Sequence, residues 1–233
     1  MAFEKISNIS LTDLFVAQIE SKILSGELSV GDKLPSAREL TTLIGVSRPV
    51  ISAGLIELEK MGFIEIKPRQ GAYVCDYRRK GTVETLVAIM RYNGGAMRKN
   101  EVASLLQVRR SLECLCMELI IDDVSDDELK KILPFLEALR TCPKSSLGEA
   151  IFTFHHELAV LSGNVLLPLL YHSFKPESIY LWSITSDLFS QEETYATKKE
   201  LYTALLNRDK ENALRLTNES VNQALTEINP YTA

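Results

Sequence analysis

The sequence lacks the features by which most catalysts and membrane proteins are recognised. Of its 233 residues only three are histidines and four are cysteines. Cys75, Cys114, Cys116 and Cys142 show no zinc-finger spacing. Cys114 and Cys116 lie two apart on an expected helix, hence on different faces, which is poor geometry for a shared metal. All four are therefore expected to be reduced, mostly buried thiols. There is no glycine-rich phosphate loop, no paired nucleophile and base, and no cluster of ligating side chains, so an enzyme is not expected. No stretch is long and apolar enough to cross a bilayer, and the first residues hold no apolar run of the signal type. The expectation is a cytoplasmic protein without membrane association, metal or cofactor. Positive charge is not in excess either, since the formal net charge is −5. Chain length and 45% hydrophobic content suffice for two domains with real cores.

What the chain does hold is concentrated between Gly31 and Val74. Ser36 with Glu39 three residues on is a capping box, and Leu40, Leu43 and Ile44 give the helix it opens an apolar stripe. Gly45 suits the left-handed residue that ends such a helix. Ser47 can cap the next, whose first turn holds Pro49, where a missing N–H costs nothing. Ile51, Leu55 and Leu58 share the packing face of this second helix, while Arg48, Val50, Ser52 and Ala53 lie on the other. After Met61-Gly62 the period becomes alternating, with Phe63, Glu65 and Lys67, then Ala72, Tyr73 and Val74. The turn between them holds Pro68, Arg69, Gln70 and Gly71. Upstream, Leu14, Ile19, Ile23 and Leu24 recur at helical spacing between Leu11 and Ser25.

Helices, sharp turn and basic hairpin in this order are the parts of a winged helix-turn-helix. Such a module reads base edges with the N-terminal residues of its second helix, and Arg48 is placed to donate to guanine. An Arg at a hairpin tip reaches a phosphate or the minor groove. To residue 80 there are eleven Lys and Arg against ten Asp and Glu, a balance of +1. Placement matters more than the sum: Lys33, Arg38, Arg48, Lys67 and Arg69 all fall on the motif segment. Binding should be salt-sensitive and modest per monomer, which favours a dimer.

Asp76-Tyr77-Arg78-Arg79-Lys80-Gly81 reads as a linker, either a solvated connector or one whose basic residues touch the DNA backbone. The expected organisation is a DNA-binding domain over 1–75, a linker over 76–81 and an all-helical domain over 82–230. Helices are expected from Thr82 to Tyr92, stopped by Asn93-Gly94-Gly95, and from Asn100 to Ile121. The second carries a wide stripe of Val102, Leu105, Leu106, Val108, Leu112, Leu115, Leu119 and Ile120. Capping boxes at Ser125/Glu128 and Ser190/Glu193 open helices reaching about Leu139 and Asn207. Further helices should cover Leu147 to Ser162, Val165 to His172, Glu177 to Leu188 and Asp209 to Ile228. The fold class is thus mainly α, a winged helix-turn-helix with a small β-hairpin followed by an antiparallel helical bundle with room for a ligand.

The residues Gly31-Asp32-Lys33-Leu34-Pro35-Ser36, Arg38-Glu39-Leu40, Gly45-Val46-Ser47-Arg48, Leu55, Leu58-Glu59, Gly62-Phe63-Ile64 and Gly71 resemble the GntR family of bacterial transcription regulators. The resemblance implies a regulator that binds a palindromic operator in duplex DNA as a homodimer, acting as a repressor. It implies DNA contacts from Arg38 and Arg48 and a wing tip at Arg69, Gln70 and Gly71, within a DNA-facing set that also includes Lys33, Ser36, Ser47, Pro49 and Ser52. The family often has a second Arg where this chain has Ser52, so base readout should be thinner.

The helical half is similar to the effector domain of the FadR-like subfamily. The similarity rests on Phe154-His155-His156-Glu157-Leu158 through Ser162-Gly163-Asn164, on Val108-Arg109-Arg110-Ser111-Leu112-Glu113, and on Ala204-Leu205 through Asp209 and Ala213. Many members hold a divalent metal through one Asp and three His. Those positions fall on Ile151, His155, Lys198 and Ser220, so one ligand of four remains and no metal is expected. His155 then reads as a hydrogen-bonded core histidine, and His156 and His172 as surface or boundary residues. The implied effector is a small carboxylate or acyl metabolite contacted by Arg109, His155, Asn164 and Lys198, with Tyr171, Tyr180 and Trp182 as candidate apolar wall. Arg109 has two readings: a bidentate ligand for a carboxylate, or a salt bridge to Glu113 at i+4. A dimerising scaffold with a degenerate effector site is the other function left open.

Overall fold

The computed structural model describes residues 10–92, 99–188 and 190–228. The chain forms two compact units, Met1–Gly94 and Gly95–Ala233. The expected helix stop at Asn93-Gly94-Gly95 lies outside the described residues. In the first unit α1 (Leu11–Leu24), α2 (Ala37–Ile44) and α3 (Arg48–Lys60) precede a hairpin of β1 (Ile64–Lys67) and β2 (Gly71–Val74). Two further helices follow, α4 (Tyr77–Lys80) and α5 (Val83–Arg91).

The capping box forms as read: Ser36 N–H donates to Glu39 Oε2 at 2.8 Å and Glu39 N–H to Ser36 Oγ at 3.3 Å. The helix ends at Gly45 in the left-handed region. Ser47 sits at the N-cap of α3, yet its hydroxyl accepts no capping hydrogen bond. Pro49 occupies one of the two positions whose N–H a cap normally receives, so half of the usual opportunity is missing.

Phe15, Val16, Ile19 and Ile23 of α1 pack with Leu40, Ile51, Leu58, Phe63, Ile64 and Val74 into one core. Two residues read as core are not: Leu14 is 51% and Leu43 is 72% exposed. The buried stripe of α1 instead begins at Phe15, because α3 meets it at Gly54. A Cβ on Gly54 would overlap the Phe15 ring. Gly54→Ala gains about 1 kcal/mol of helix propensity but overpacks a filled core at about 1–3 kcal/mol. The expected outcome is a lower midpoint in thermal unfolding, and a raised one would contradict the close approach of α1 and α3.

The hairpin is antiparallel, with Ile64 opposite Val74 and Lys67 opposite Gly71. Arg69 closes its turn at φ 63°. The segment before α2 joins it as an edge. Gly31 N–H donates to Val74 O, Val74 N–H to Asp32 O and Leu34 N–H to Ala72 O, each at 2.9 Å.

Residues 76–81 are folded rather than a solvated connector. Asp76 caps α4, Lys80 pairs with Glu65 of β1 at 3.0 Å, and the Lys80 carbonyl occupies the place a Cβ on Gly62 would need. The Thr85 hydroxyl donates to the Met61 carbonyl, and Ala88 joins the core. The first unit therefore runs beyond the expected boundary at 75, and α5 belongs to it. Composition misled here because three consecutive basic residues can cover a packed turn while keeping their charges in water.

The second unit is a helical bundle: α6 (Lys99–Asp123), α7 (Asp126–Leu129), α8 (Leu133–Thr141), α9 (Leu147–Leu161), α10 (Leu167–Ser173), α11 (Lys175–Leu188), α12 (Gln191–Leu206) and α13 (Lys210–Ile228). Both expected capping boxes form. The helix expected from Asp126 to Leu139 is broken by a 3₁₀ turn at Lys130–Ile132, and Pro134 lies at the start of the restarted helix. Proline cannot donate to the preceding turn and disfavours helical backbone in the residue before it. Central α9 packs against α6, α8, α10 and α11, while α13 packs against α6, α11 and α12. Of the long α6 stripe, Val102, Leu105, Leu106 and Ile120 are buried, whereas Val108 is 50% and Leu115 is 40% exposed.

Candidate functional site

In the first unit the N-terminus of α3 and the hairpin turn both stand in solvent. Arg38, Ser47, Arg48, Pro49 and Ser52 are exposed, as are Lys33, Ser36, Arg69 and Gln70, while Gly71 is half-buried. Arg48 is the first residue of α3. On the hairpin, Lys67 lies 4.9 Å and Lys33 5.9 Å from the centre of the Tyr73 ring. One aromatic ring thus gathers two ammonium groups from separate segments. The nearly neutral charge balance of this unit hides a local concentration of cations on the wing.

The helical unit contains a cavity of about 230 Å³ lined by Arg109, Ile151, Trp182, Glu193, Thr194, Thr197, Lys198, Ser220, Gln223 and Ala224. A void of about 10 Å³ lies against Glu113, His155, Thr197, Lys198 and Ser220. Thr197, Lys198 and Ser220 border both. Of the four positions carried over from the subfamily's metal site, on α9, α12 and α13, Ile151 borders the cavity, His155 the void, and Lys198 and Ser220 both. Their chemistry does not fit a divalent transition metal. Ile151 has no donor atom, Lys198 brings an ammonium, and His155 is a single imidazole. Among the described residues no group of three or more His, Cys, Asp or Glu could hold an ion.

At the centre is a side chain expected from the sequence only to partner Arg109 at i+4, with no place in the site. The Glu113 carboxylate is 2% exposed. Its Oε1 accepts from Arg109 Nε at 2.6 Å and lies 3.3 Å from His155 Nδ1, and the Tyr171 hydroxyl bonds the same group. So the ion-pair reading of Arg109 describes the structure. The same guanidinium also covers the Trp182 ring at 4.5 Å and borders the cavity. Lys198 is buried, with its Nζ 3.4 Å from Ser220 Oγ. Burial alone would raise the Glu113 pKa, but the positive charges of Arg109 and Lys198 hold it at about 2. Burial lowers His155 to about 3 despite the Glu113 charge, and lowers Lys198 to about 8 for the same reason. At neutral pH the buried groups are two cations, one carboxylate and a neutral imidazole.

Other expected site residues lie elsewhere. Asn164 does not border the cavity; its Oδ1 accepts from the N–H groups of Leu166 and Leu167 and starts α10. Tyr171 is buried against Glu113, Tyr180 is 42% exposed, and only Trp182 of the three aromatics lines the cavity. His155 is a core residue without the expected hydrogen bonds. His156 is half-buried and stacked on Phe152, and His172 is exposed.

These shifts set an acid limit. Glu113, depressed from 4.5 to about 2, contributes stability above pH 4.5 that is lost as pH falls through 2. His155 acts in the same direction: below 6.5 the unfolded chain takes a proton that the folded one refuses until about 3. Melting followed through Trp182 emission should fall as pH drops below 6.5. In His155→Phe the curve should stay flat to about pH 4.5. An unchanged slope in that variant would contradict a neutral, buried His155.

The bacterial regulatory protein gntR-family pattern matches residues 12–74, and the FCD domain pattern matches residues 104–223. The chain is 26% identical over 208 residues to YcbG of Bacillus subtilis (strain 168), an HTH-type transcriptional regulator, covering 88% of this chain and 84% of that protein. It is 33% identical over 147 residues to the HTH-type transcriptional regulator LutR of the same organism, covering 62% and 65%. The Uxu operon transcriptional regulator of Escherichia coli (strain K12) is 25% identical over 203 residues, covering 83% and 77%. Among solved structures, Lar, described as controlling the Listeria monocytogenes agr system, shares the fold. Its TM-score is 0.62 at 13% identity, covering 95% of this chain and 97% of that one. A winged helix with an exposed Arg48, followed by an FCD bundle, makes this chain a DNA-binding transcription regulator rather than an enzyme, and it belongs to the GntR family.

Proposed function

We propose that the chain is a homodimeric, cytoplasmic repressor that binds a palindromic operator and is released or retained by a small carboxylate in the helical cavity. The carrying observation is the set of buried charges beside that cavity: Arg109 and Lys198 meet one buried carboxylate, Glu113, leaving one unmatched positive charge among them, while Glu193, which also lines the cavity, is exposed and bonds Ser190 at the start of α12. An anionic ligand neutralises it. A volume of about 230 Å³ suits a small organic acid better than a long acyl thioester.

On DNA, Arg48 would reach base edges beside Pro49 and Ser52, with Arg38 near the backbone. The uncommitted Ser47 hydroxyl, Ser36 and Lys33 would meet phosphates, and Arg69, Gln70 and Gly71 would enter beside the wing. The dimer is supported by the uncovered apolar stripe of α6, where Val108 and Leu115 are exposed. Two protomers would place their recognition helices about 34 Å apart, one turn of duplex. Effector and DNA then shift each other's affinity by equal free energies.

Selection of bound duplexes from a random DNA pool, repeated with and without small carboxylates, tests this. A twofold-symmetric consensus whose retention responds to at least one acid is expected. Enrichment of no symmetric sequence at low salt would refute the reading.

A further inference from the structure

Glu59 stands near the end of α3, eleven residues after Arg48 and roughly 16 Å along the helix axis. It therefore cannot share the base contact expected of Arg48. Among the described residues β1 pairs with β2 alone, so its other edge is open. The Cys75 N–H donates to the Phe63 carbonyl at 2.8 Å, which sets the phase of the hairpin. Residues 63, 65 and 67 bond across it, and the Ile66 N–H points outward. The Glu59 carboxylate accepts that N–H at 2.7 Å, while the Glu59 carbonyl accepts from the Gly62 N–H at 2.9 Å. One residue of α3 thus holds both ends of the segment leading into the wing. The turn follows at once: Gln70 N–H donates to the Lys67 carbonyl at 3.0 Å, with Arg69 in the left-handed third position. Glycine or asparagine is usual at that position of a type II turn, so Arg69 keeps it only because the strands hold it there.

We infer that Glu59 is a positioning residue for DNA binding: by holding Ile66 it fixes the angle between α3 and the wing, and with it the reach of Arg69. The inference rests on Arg69 meeting DNA and adds the residue that aims it. Electrostatics alone predicts the opposite sign. Glu59 is exposed, and an exposed carboxylate on a DNA-binding module repels phosphate, so its removal should tighten binding. If Glu59 aims the wing, its removal should loosen binding. Glutamine separates the two effects, because its amide oxygen keeps an acceptor for Ile66 while the charge is gone.

Fluorescence anisotropy on the full-length protein, with the selected duplex and a scrambled one across a salt series, decides. Glu59→Ala is expected to weaken both duplexes about fivefold and to lower the salt slope by about one, as expected for Arg69→Ala. Glu59→Gln should bind as tightly as the unaltered protein or more so. On an Arg69→Ala background, Glu59→Ala should cost nothing further, since the side chain it aims is gone. Glu59 lies outside the core, so both variants should fold, and their melting curves verify it. Tighter binding by Glu59→Ala, an equal loss in Glu59→Gln, or a full fivefold loss on the Arg69→Ala background would overturn the inference and leave the wing contact standing. An Arg69→Ala protein that binds like the unaltered one would overturn the wing contact and this inference together.

Discussion

Arg48→Ala is expected to weaken operator binding by roughly 5- to 150-fold per half-site, the worth of about 1–3 kcal/mol for one bidentate guanine contact. In a dimer the loss compounds, so binding to the symmetric sequence should collapse toward the non-specific level. Thermal stability should not change, because Arg48 is exposed at the start of α3 and contributes nothing to the core. The comparison that gives the result its meaning is Arg69→Ala. A wing residue acting on phosphate or groove width should lower affinity for all sequences alike and reduce the salt slope by about one. Fluorescence anisotropy on the consensus and on a scrambled duplex, across a salt series, separates the two. If Arg48→Ala weakened both duplexes equally, its role would be that of a phosphate contact.

Glu113→Gln is expected to cost about 3–5 kcal/mol, since it removes the buried counter-charge of Arg109 and Lys198 and weakens the acceptor for Tyr171. For a unit of this size the melting temperature should fall by about 10 °C or more. The melt is followed through Trp182. A drop confined to one or two degrees would mean that the carboxylate is not the electrostatic centre of the bundle. Added small carboxylate should recover part of the loss, because the ligand replaces the missing negative charge.

The contrast between these residues shows what a sequence discloses. The position of Arg48 is legible because it depends on neighbours in the chain. Ser36 with Glu39 starts α2, Gly45 ends it, and α3 then begins with Arg48 whatever the rest of the molecule does. The capping boxes at Ser125 and Ser190 are equally local and also form. Glu113 was not legible as a centre. From the chain alone, an Arg and a Glu four apart are the commonest kind of surface pair. What makes this pair different is burial by α9, α10 and α12, which bring His155, Tyr171 and Lys198 to it from distant positions. Residues 76–81 failed in the opposite sense, as their polarity described a linker while their backbone packs on Gly62. The grouping of Ile151, His155, Lys198 and Ser220 followed from resemblance, and the bundle places Lys198 and Ser220 between the cavity that Ile151 borders and the void that His155 borders.

Operator recognition depends most on α3 reading the major groove through Arg48. Methylation interference on the selected operator measures this at single guanines, because a methyl on N7 blocks the contact that an Arg makes there. Two symmetry-related guanines, about one helical turn apart, are expected whose methylation prevents binding, with loss of that interference in Arg48→Ala. Interference that is absent, or that persists unchanged in Arg48→Ala, would contradict it.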